Sequence, residues 1–299
     1  MKSLFFCSTC LYSILFVIGC NSGSTVEDKG DPLSGSFIIQ TDEAHYPVAK
    51  VLTETYMGLY DLVNIQIDTT QKGNPYKRLL NKNVRMLLTT QALSPNDSLA
   101  LVQRGVFPKV SPIMRDAIVM ISKRGIDTLP VYPFSLRHDS CFSFLNANKP
   151  QYMVTDRSDS DNSYFMANSL RSFCGMEWEL VGNQLAIIER VSASDKEVGL
   201  VSWSYLCERK SKEVKSRMER IQIMPFVDSL SNQIMPSQST VFTKEYPLTR
   251  TLLMVTSEPY AGPATGFAAW VASSEGQRII RLFGAAPIQI PPREIQIEN

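Results

Sequence analysis

The sequence predicts an α/β protein of two lobes, with mixed, mostly parallel sheets and flanking helices. Three observations carry this. Short apolar runs of strand character alternate with segments of helical period along most of the chain. The alternation begins again in the middle of the chain, after a strand-like run at residues 116–122. The length, 299 residues, exceeds what one core usually organises, because single cores stop growing near roughly 250–300 residues.

Phe37-Ile38-Ile39 reads as a buried strand, followed by Thr41-Asp42-Glu43 and a helix through Val48, Val51, Leu52, Thr55 and Tyr56. Residues 62–67 alternate apolar and polar, a strand signature. Residues 76–80 read as a short helix and 84–88 as another strand. Pro95 opens a helix containing Leu99, Leu101 and Val102. Residues 116–122 form a strand leaving the first lobe. From 125 to 150 no period is evident, with Pro130, Pro133, His138, Asp139 and Cys141 set among aromatics. The second series has strands at 152–155, 178–181 and 198–203, and a helix at 163–173. Leu185, Ile188 and Val191 share one helical face. A strand at 251–255 then precedes two helices. Ser274 and Gln277 have capping-box spacing, and Gly284 stands where a C-cap belongs. Val271, Ile279, Ile280 and Phe283 recur at helical spacing and read as core.

Composition narrows the function classes. The chain is 44% hydrophobic and 20% charged, an ordinary globular balance. A formal charge of +1 gives no reason to expect nucleic acid as a partner. The basic cluster Arg209, Lys210, Lys212, Lys215 and Arg217 is interleaved with Glu208 and Glu213 and reads as a solvated helix face. No nucleophile-elbow, zincin or Walker sequence occurs, no cysteine cluster has zinc spacing, and only two histidines are present. The expectation is therefore a non-enzyme without cofactor or metal.

The N-terminus has a basic Lys2, an interrupted apolar stretch over residues 4–18 and then Gly19-Cys20. That pattern describes a secretory signal over residues 1–19, and the apolar stretch falls short of the roughly 20 residues a spanning helix needs. Cys20 resembles the lipobox cysteine of bacterial lipoproteins, which implies lipidation at Cys20. The expected location is membrane-anchored, on the periplasmic or cell-surface side. Residues 20–34 then read as a polar tether. Cys7 and Cys10 leave with the signal. Cys141, Cys174 and Cys207 remain, as one disulfide plus a buried thiol or as three buried thiols.

The C-terminal third carries a family likeness. Glu245-Tyr246-Pro247-Leu248-Thr249-Arg250 precedes Gly262-Pro263-Ala264-Thr265-Gly266-Phe267, then Glu275-Gly276-Gln277-Arg278-Ile279-Ile280 and Gly284-Ala285-Ala286-Pro287. Upstream stand Thr41-Asp42-Glu43-Ala44 with Pro47, Asp116-Ala117-Ile118-Val119 and Val198-Gly199-Leu200-Val201. In order, these motifs resemble the phosphate-binding proteins of ABC transporters, especially their Bacteroidetes lipoprotein branch. The resemblance implies a two-lobed type II periplasmic binding fold with a central cleft. It places lobe one at 35–122 plus 235–299 and lobe two at 123–234. The implied partners are phosphate or a similar small anion in the cleft and an ABC permease.

A dehydrated oxyanion needs converging hydroxyls, N–H groups at a helix start and usually an arginine fork. The resemblance implies a ligand set of Thr41, Asp42, His45 and Tyr46 in the first loop, and Thr90 and Gln91 in the second. Arg157, Ser160 and Asn162 complete it in the third. That third segment departs from the family: Asp161 replaces the glycine whose backbone approaches the anion, Asn162 replaces threonine, and Tyr164 stands where arginine is common. Carboxylates at Asp156, Asp159 and Asp161 would oppose a bound anion. Residues 160–163 read either as an altered ligand loop or as a plain N-cap. Arg250 is expected to pair with an acidic neighbour. Two functions follow: capture of phosphate or a related oxyanion for import, or a diverged binding-fold lipoprotein with another ligand or a structural or interaction role.

Overall fold

The computed structural model describes residues 30–70, 73–126, 131–132, 143–144, 152–169, 177–208, 210–228 and 230–290. The signal segment, Cys20, His138, Cys141, Cys174 and Arg209 lie outside them.

Alternation of apolar runs gives strands β1 (Gly35–Thr41), β2 (Val63–Asp68), β3 (Val84–Thr89) and β4 (Lys109–Lys123), with helices α1 (Tyr46–Leu59) and α2 (Pro95–Val102) between them. The short strands β5 (Val131–Tyr132) and β6 (Ser143–Phe144) follow. Next come β7 (Tyr152–Thr155), α3 (Asp161–Ser169), β8 (Glu177–Leu180), α4 (Gln184–Ala193) and β9 (Glu197–Ser202). Beyond them lie α5 (Lys212–Arg220), β10 (Ile221–Ile223), β11 (Phe226–Val227), β12 (Gln233–Ile234) and α6 (Gln238–Thr243). The chain closes with β13 (Thr249–Thr256), α7 (Pro263–Ala272), α8 (Ser274–Phe283) and β14 (Ala286–Pro287).

The main sheet runs β2-β1-β3-β13-β4-β9-β7-β8, with β10 and β14 also on β4. Pairing is parallel for β1 with β2 and β3, and for β7 with β8 and β9. It is antiparallel where β13 and β4 join the two halves. β4 is the shared element: its first part pairs with β13, and Ile118–Ile121 pair with β9. Apolar residues on both faces bury it, from Ile113 to Ile121 with Arg115 half-buried. The sequence pattern shows this strand only from Asp116, because Pro112 interrupts its apolar run. Pro112 lacks an N–H, and the register of β4 against β13 shifts beside it, between Leu252 and Leu253.

Helix α1 buries Val48, Ala49, Leu52 and Tyr56, spaced to share one face. Tyr56 meets the Phe267 ring at 5.2 Å and the Trp270 ring at 5.3 Å, tying α1 to α7. Such pairs add about 0.5–1.5 kcal/mol beyond area burial. Helix α4 seats directly on β9 because Gly199 has no side chain: a Cβ there would lie 2.6 Å from Ile187 Cγ2. Ile187, Ile188 and Val191 form the buried face of α4, while Leu185 is half-buried. Helix α5 buries only Val214 among its residues. Its Arg217 guanidinium lies 4.4 Å from the centre of the Tyr205 ring.

Two local expectations are corrected. Strand β9 ends at Ser202, and Trp203–Tyr205 form a 3-10 turn. Helix α8 is capped by Ser273, whose hydroxyl accepts from Gly276 N at 3.4 Å, so the third helical position is glycine and no Ser274–Gln277 box forms. Gln277 instead donates to the Ile113 carbonyl at 3.1 Å and accepts from Ile288 N at 2.9 Å, which anchors α8 to β4. Gly284 does end the helix, in the left-handed conformation with φ 107°.

Candidate functional site

The carboxyl ends of β1 and β3 face the start of α3 across the seam between the two sheet halves. In open α/β sheets this is where loops are free to present polar groups. β1 ends at Thr41, with Asp42 following, and β3 ends at Thr89, with Thr90 and Gln91 following. Ser160 caps α3, its hydroxyl accepting from Ser163 N at 3.0 Å, which places Asp161 at the first helical position.

Donors from the first half converge on the Asp161 carboxylate. Thr89 Oγ1 donates to it at 2.8 Å, Thr90 N at 2.6 Å and Gln91 Nε2 at 3.1 Å. His45 Nε2 lies 3.2 Å from Asp161 Oδ2, close enough for charge attraction though off the hydrogen-bond direction. Asp161 and His45 are both buried. Burial pushes the Asp161 carboxyl upward, but contact with His45, the charge of Arg250 and the Thr90 N–H outweigh it and hold it at about 2.

Other contacts close the same seam. Asp42 caps the turn at Ala44 N (3.0 Å), and its second oxygen lies 3.4 Å from Asp161 N and 3.5 Å from Arg157 Nη2. Glu43 accepts from Gln184 N at 3.0 Å, and Asp159 accepts from Gly73 N at 2.5 Å. His45 Nδ1 is 3.1 Å from Ser204 Oγ, which also donates to the Ala44 carbonyl at 3.1 Å. The seam is thus laced by the chain's own polar groups.

Behind it lie two more buried acids in contrasting states. Asp116 accepts from Arg250 Nη2, Ser202 Oγ and Ser204 N at 2.7, 2.7 and 2.8 Å. Burial opposes its charge, but Arg250 and then His45 pull its carboxyl below the ordinary range. Asp156 accepts from Ser160 Oγ and Gln184 Nε2. Burial and the neighbouring charge of Asp42 nevertheless raise it to about 7.

The structure brings Asp42, His45, Thr90, Gln91, Arg157 and Ser160 to this seam. Thr41 is buried at the end of β1, and its hydroxyl has no hydrogen-bond partner among the described residues. Asn162 is buried with Nδ2 on the Leu200 carbonyl at 3.3 Å. Tyr46 is 40% exposed and lines a surface groove of about 500 Å³ with Lys50, Tyr205 and Arg217. Tyr164 is 39% exposed, so neither tyrosine fills the seam. The position of residues 89–91 at the carboxyl end of a strand pointed to Thr89, whereas sequence reading missed Asp116, Gln184 and Ser204 as members of this network. Arg78 belongs here too: burial lowers its pKa, while Asp42, Asp161 and Asp159 attract its charge. Asp161 stood out in the sequence as a replaced glycine; in the structure its carboxylate accepts from Thr89, Thr90 and Gln91. Arg250 has the acidic partner expected of it, Asp116.

Among the described residues no cluster could hold a metal ion, and no helix is long and apolar enough to cross a membrane.

No family model matches the sequence, and no curated protein matches it. Solved structures do. A protein described as a phosphate ABC transporter substrate-binding protein, solved with bound phosphate, from Clostridium perfringens is 15% identical. It superposes with a TM-score of 0.64 over 85% of this chain and 100% of that one. An ABC-type phosphate transport receptor from Vibrio cholerae is 12% identical, with a TM-score of 0.57 over 85% of this chain and 100% of that one. The regulatory domain of Synechocystis CcmR, in complex with 2-PG, is 10% identical, with a TM-score of 0.56 over 80% of this chain and 96% of that one. At these identities the likeness is one of fold: this chain is an α/β protein of the type II periplasmic binding fold.

Proposed function

We propose that this chain is an extracytoplasmic solute-binding protein, tethered to a membrane by lipid on Cys20, whose interlobe seam is built to hold one small oxyanion for an ABC-type importer. One observation supports the reading above others. Thr89 Oγ1, Thr90 N, Gln91 Nε2 and His45 converge on a single buried oxyanion group, the arrangement that a dehydrated anion requires. The relatives in fold that are phosphate receptors lend the ligand class. The lobes would be 35–122 plus 235–299 and 123–234, moving about the strands they share. The lipid tether rests on Lys2, the apolar stretch and Gly19-Cys20.

A second reading has its own observation: the oxyanion in that place is the chain's Asp161. Asp42, Asp156 and Asp159 stand nearby, and their charges oppose a multiply charged ligand more strongly when buried. A binding-fold lipoprotein that has given up phosphate for another ligand or an interaction role would be built this way.

Calorimetric titration of the full chain in detergent with inorganic phosphate, sulfate serving as control, separates the two. Saturable heat with phosphate supports the receptor reading. Silence with both anions from folded protein transfers the conclusion to the second.

A further inference from the structure

The seam raises the question of what its donors were arranged for. Three of the hydrogen-bond partners of Asp161 come from the end of β3, and His45 comes from the loop after β1. None of them is needed to cap α3, since Ser160 does that. The Asp161 backbone N–H already has an acceptor in Asp42 at 3.4 Å. Asp161 therefore meets the donors of β3 through its carboxylate, a planar oxyanion of roughly the size of formate. Polar capacity is also left over: Thr41 Oγ1, Thr90 Oγ1 and Arg250 Nη1 are buried without a hydrogen-bond partner among the described residues. Buried hydroxyls and guanidinium nitrogens are seldom left so, because each unpaired group costs free energy.

We propose that the Asp161 carboxylate is a tethered occupant of an oxyanion site, and that a free carboxylate or phosphate enters only by displacing it. This rests on the small-oxyanion reading and states how that site is regulated. A tethered group competes at a high effective concentration, so a free anion meets a site already filled. Access is then set by the equilibrium that withdraws Asp161, with apparent affinity reduced by the fraction of molecules in which the donors are vacant. Withdrawal must also part Glu43 from Gln184 and Asp159 from Gly73, because these contacts span the same seam.

The test is Asp161→Ala in the full chain, compared with the wild type in thermal unfolding and phosphate titration. The alanine variant should melt lower than the wild type. At equal concentration, formate, acetate or phosphate should raise its Tm by roughly 4 °C or more and raise that of the wild type by clearly less. Phosphate should bind the variant at least about tenfold tighter than the wild type. A folded Asp161→Ala whose Tm no anion moves overturns the proposal. Equal phosphate affinity in wild type and variant also overturns it, while leaving the oxyanion-receptor reading intact. Absence of binding in both proteins overturns both. Should Asp161→Ala not be recovered folded, Asp161→Ser carries the same comparison, and failure of both variants to fold even in formate counts against the proposal.

Discussion

Arg250 Nη2 and Nε both donate to Asp116 Oδ2, at 2.7 and 2.9 Å, and the two residues face each other as register partners of β13 and β4. Since β4 pairs with both halves of the sheet, this buried ion pair lies at their junction, with Ser202 and Ser204 of the second half bonded to the same carboxylate. Removing one partner strands the other charge in a dry interior. Arg250→Ala is therefore expected to cost about 3–5 kcal/mol in urea unfolding. Arg250→Lys should recover only part of that, because an ammonium cannot reproduce the guanidinium fork. A loss under about 1 kcal/mol for the alanine variant would show the pair to be dispensable.

Asp156 and Asp161 should give opposite pH dependences. The folded Asp156 carboxyl titrates at about 7. An unfolded aspartate releases its proton near pH 3.9, so between about pH 4 and 7 the folded protein binds the extra proton. The contribution of Asp156 is fully present below that window and is lost as pH rises through it. Asp161, held at about 2, stabilises the fold above about pH 4 and loses that contribution as pH falls toward 2. The Tm of Asp156→Asn, relative to wild type, should climb between pH 4 and 7 and then level. A constant difference across that range would refute the assignment.

Gly199 is fixed by packing. A Cβ would lie 2.6 Å from Ile187 Cγ2 and 2.9 Å from both Ile121 Cγ1 and Val191 Cγ2, atoms of two different elements. Gly199→Ala should destabilise by about 1–3 kcal/mol through overpacking, read as a lower urea midpoint at unchanged slope. A neutral result would mean that α4 can ride away from β9.

The cap of α8 distinguishes neighbouring serines. Ser273 holds Gly276 N and also donates to the Trp270 carbonyl at 2.6 Å, so Ser273→Ala should cost about 1 kcal/mol. Ser274→Ala, one residue inside the helix, should change stability by less than about 0.5 kcal/mol. Equal effects would contradict the capping geometry.

Much of the architecture was legible because the strands are short apolar runs and the helices carry one apolar face. The run at Phe37-Ile38-Ile39, the face through Val48, Leu52 and Tyr56, and Gly284 as helix terminator are local signals with local causes. Thr41, Thr90 and Gln91 were legible as candidates because loops after strands are where such sheets present polar groups. The start of β4 was hidden by Pro112, whose bulge is tolerated only because β13 shifts register beside it. The capping serine of α8 was misplaced by one residue, since Ser273 and Ser274 offer the same hydroxyl and only backbone geometry separates them.

The sequence by itself determined the α/β class and most of the longer strands and helices, because periodicity and turn chemistry act over a few residues; the third loop was marked by the family resemblance. Tertiary structure decided that β13 enters between β3 and β4, that Asp116 meets Arg250, and that Asp161 lies on Thr89, Thr90 and Gln91. Asp161 and Thr89 are 72 positions apart along the chain. Whether a carboxylate there repels an anion or stands in its place depends on donor directions that exist only once the two halves of the sheet have closed on each other.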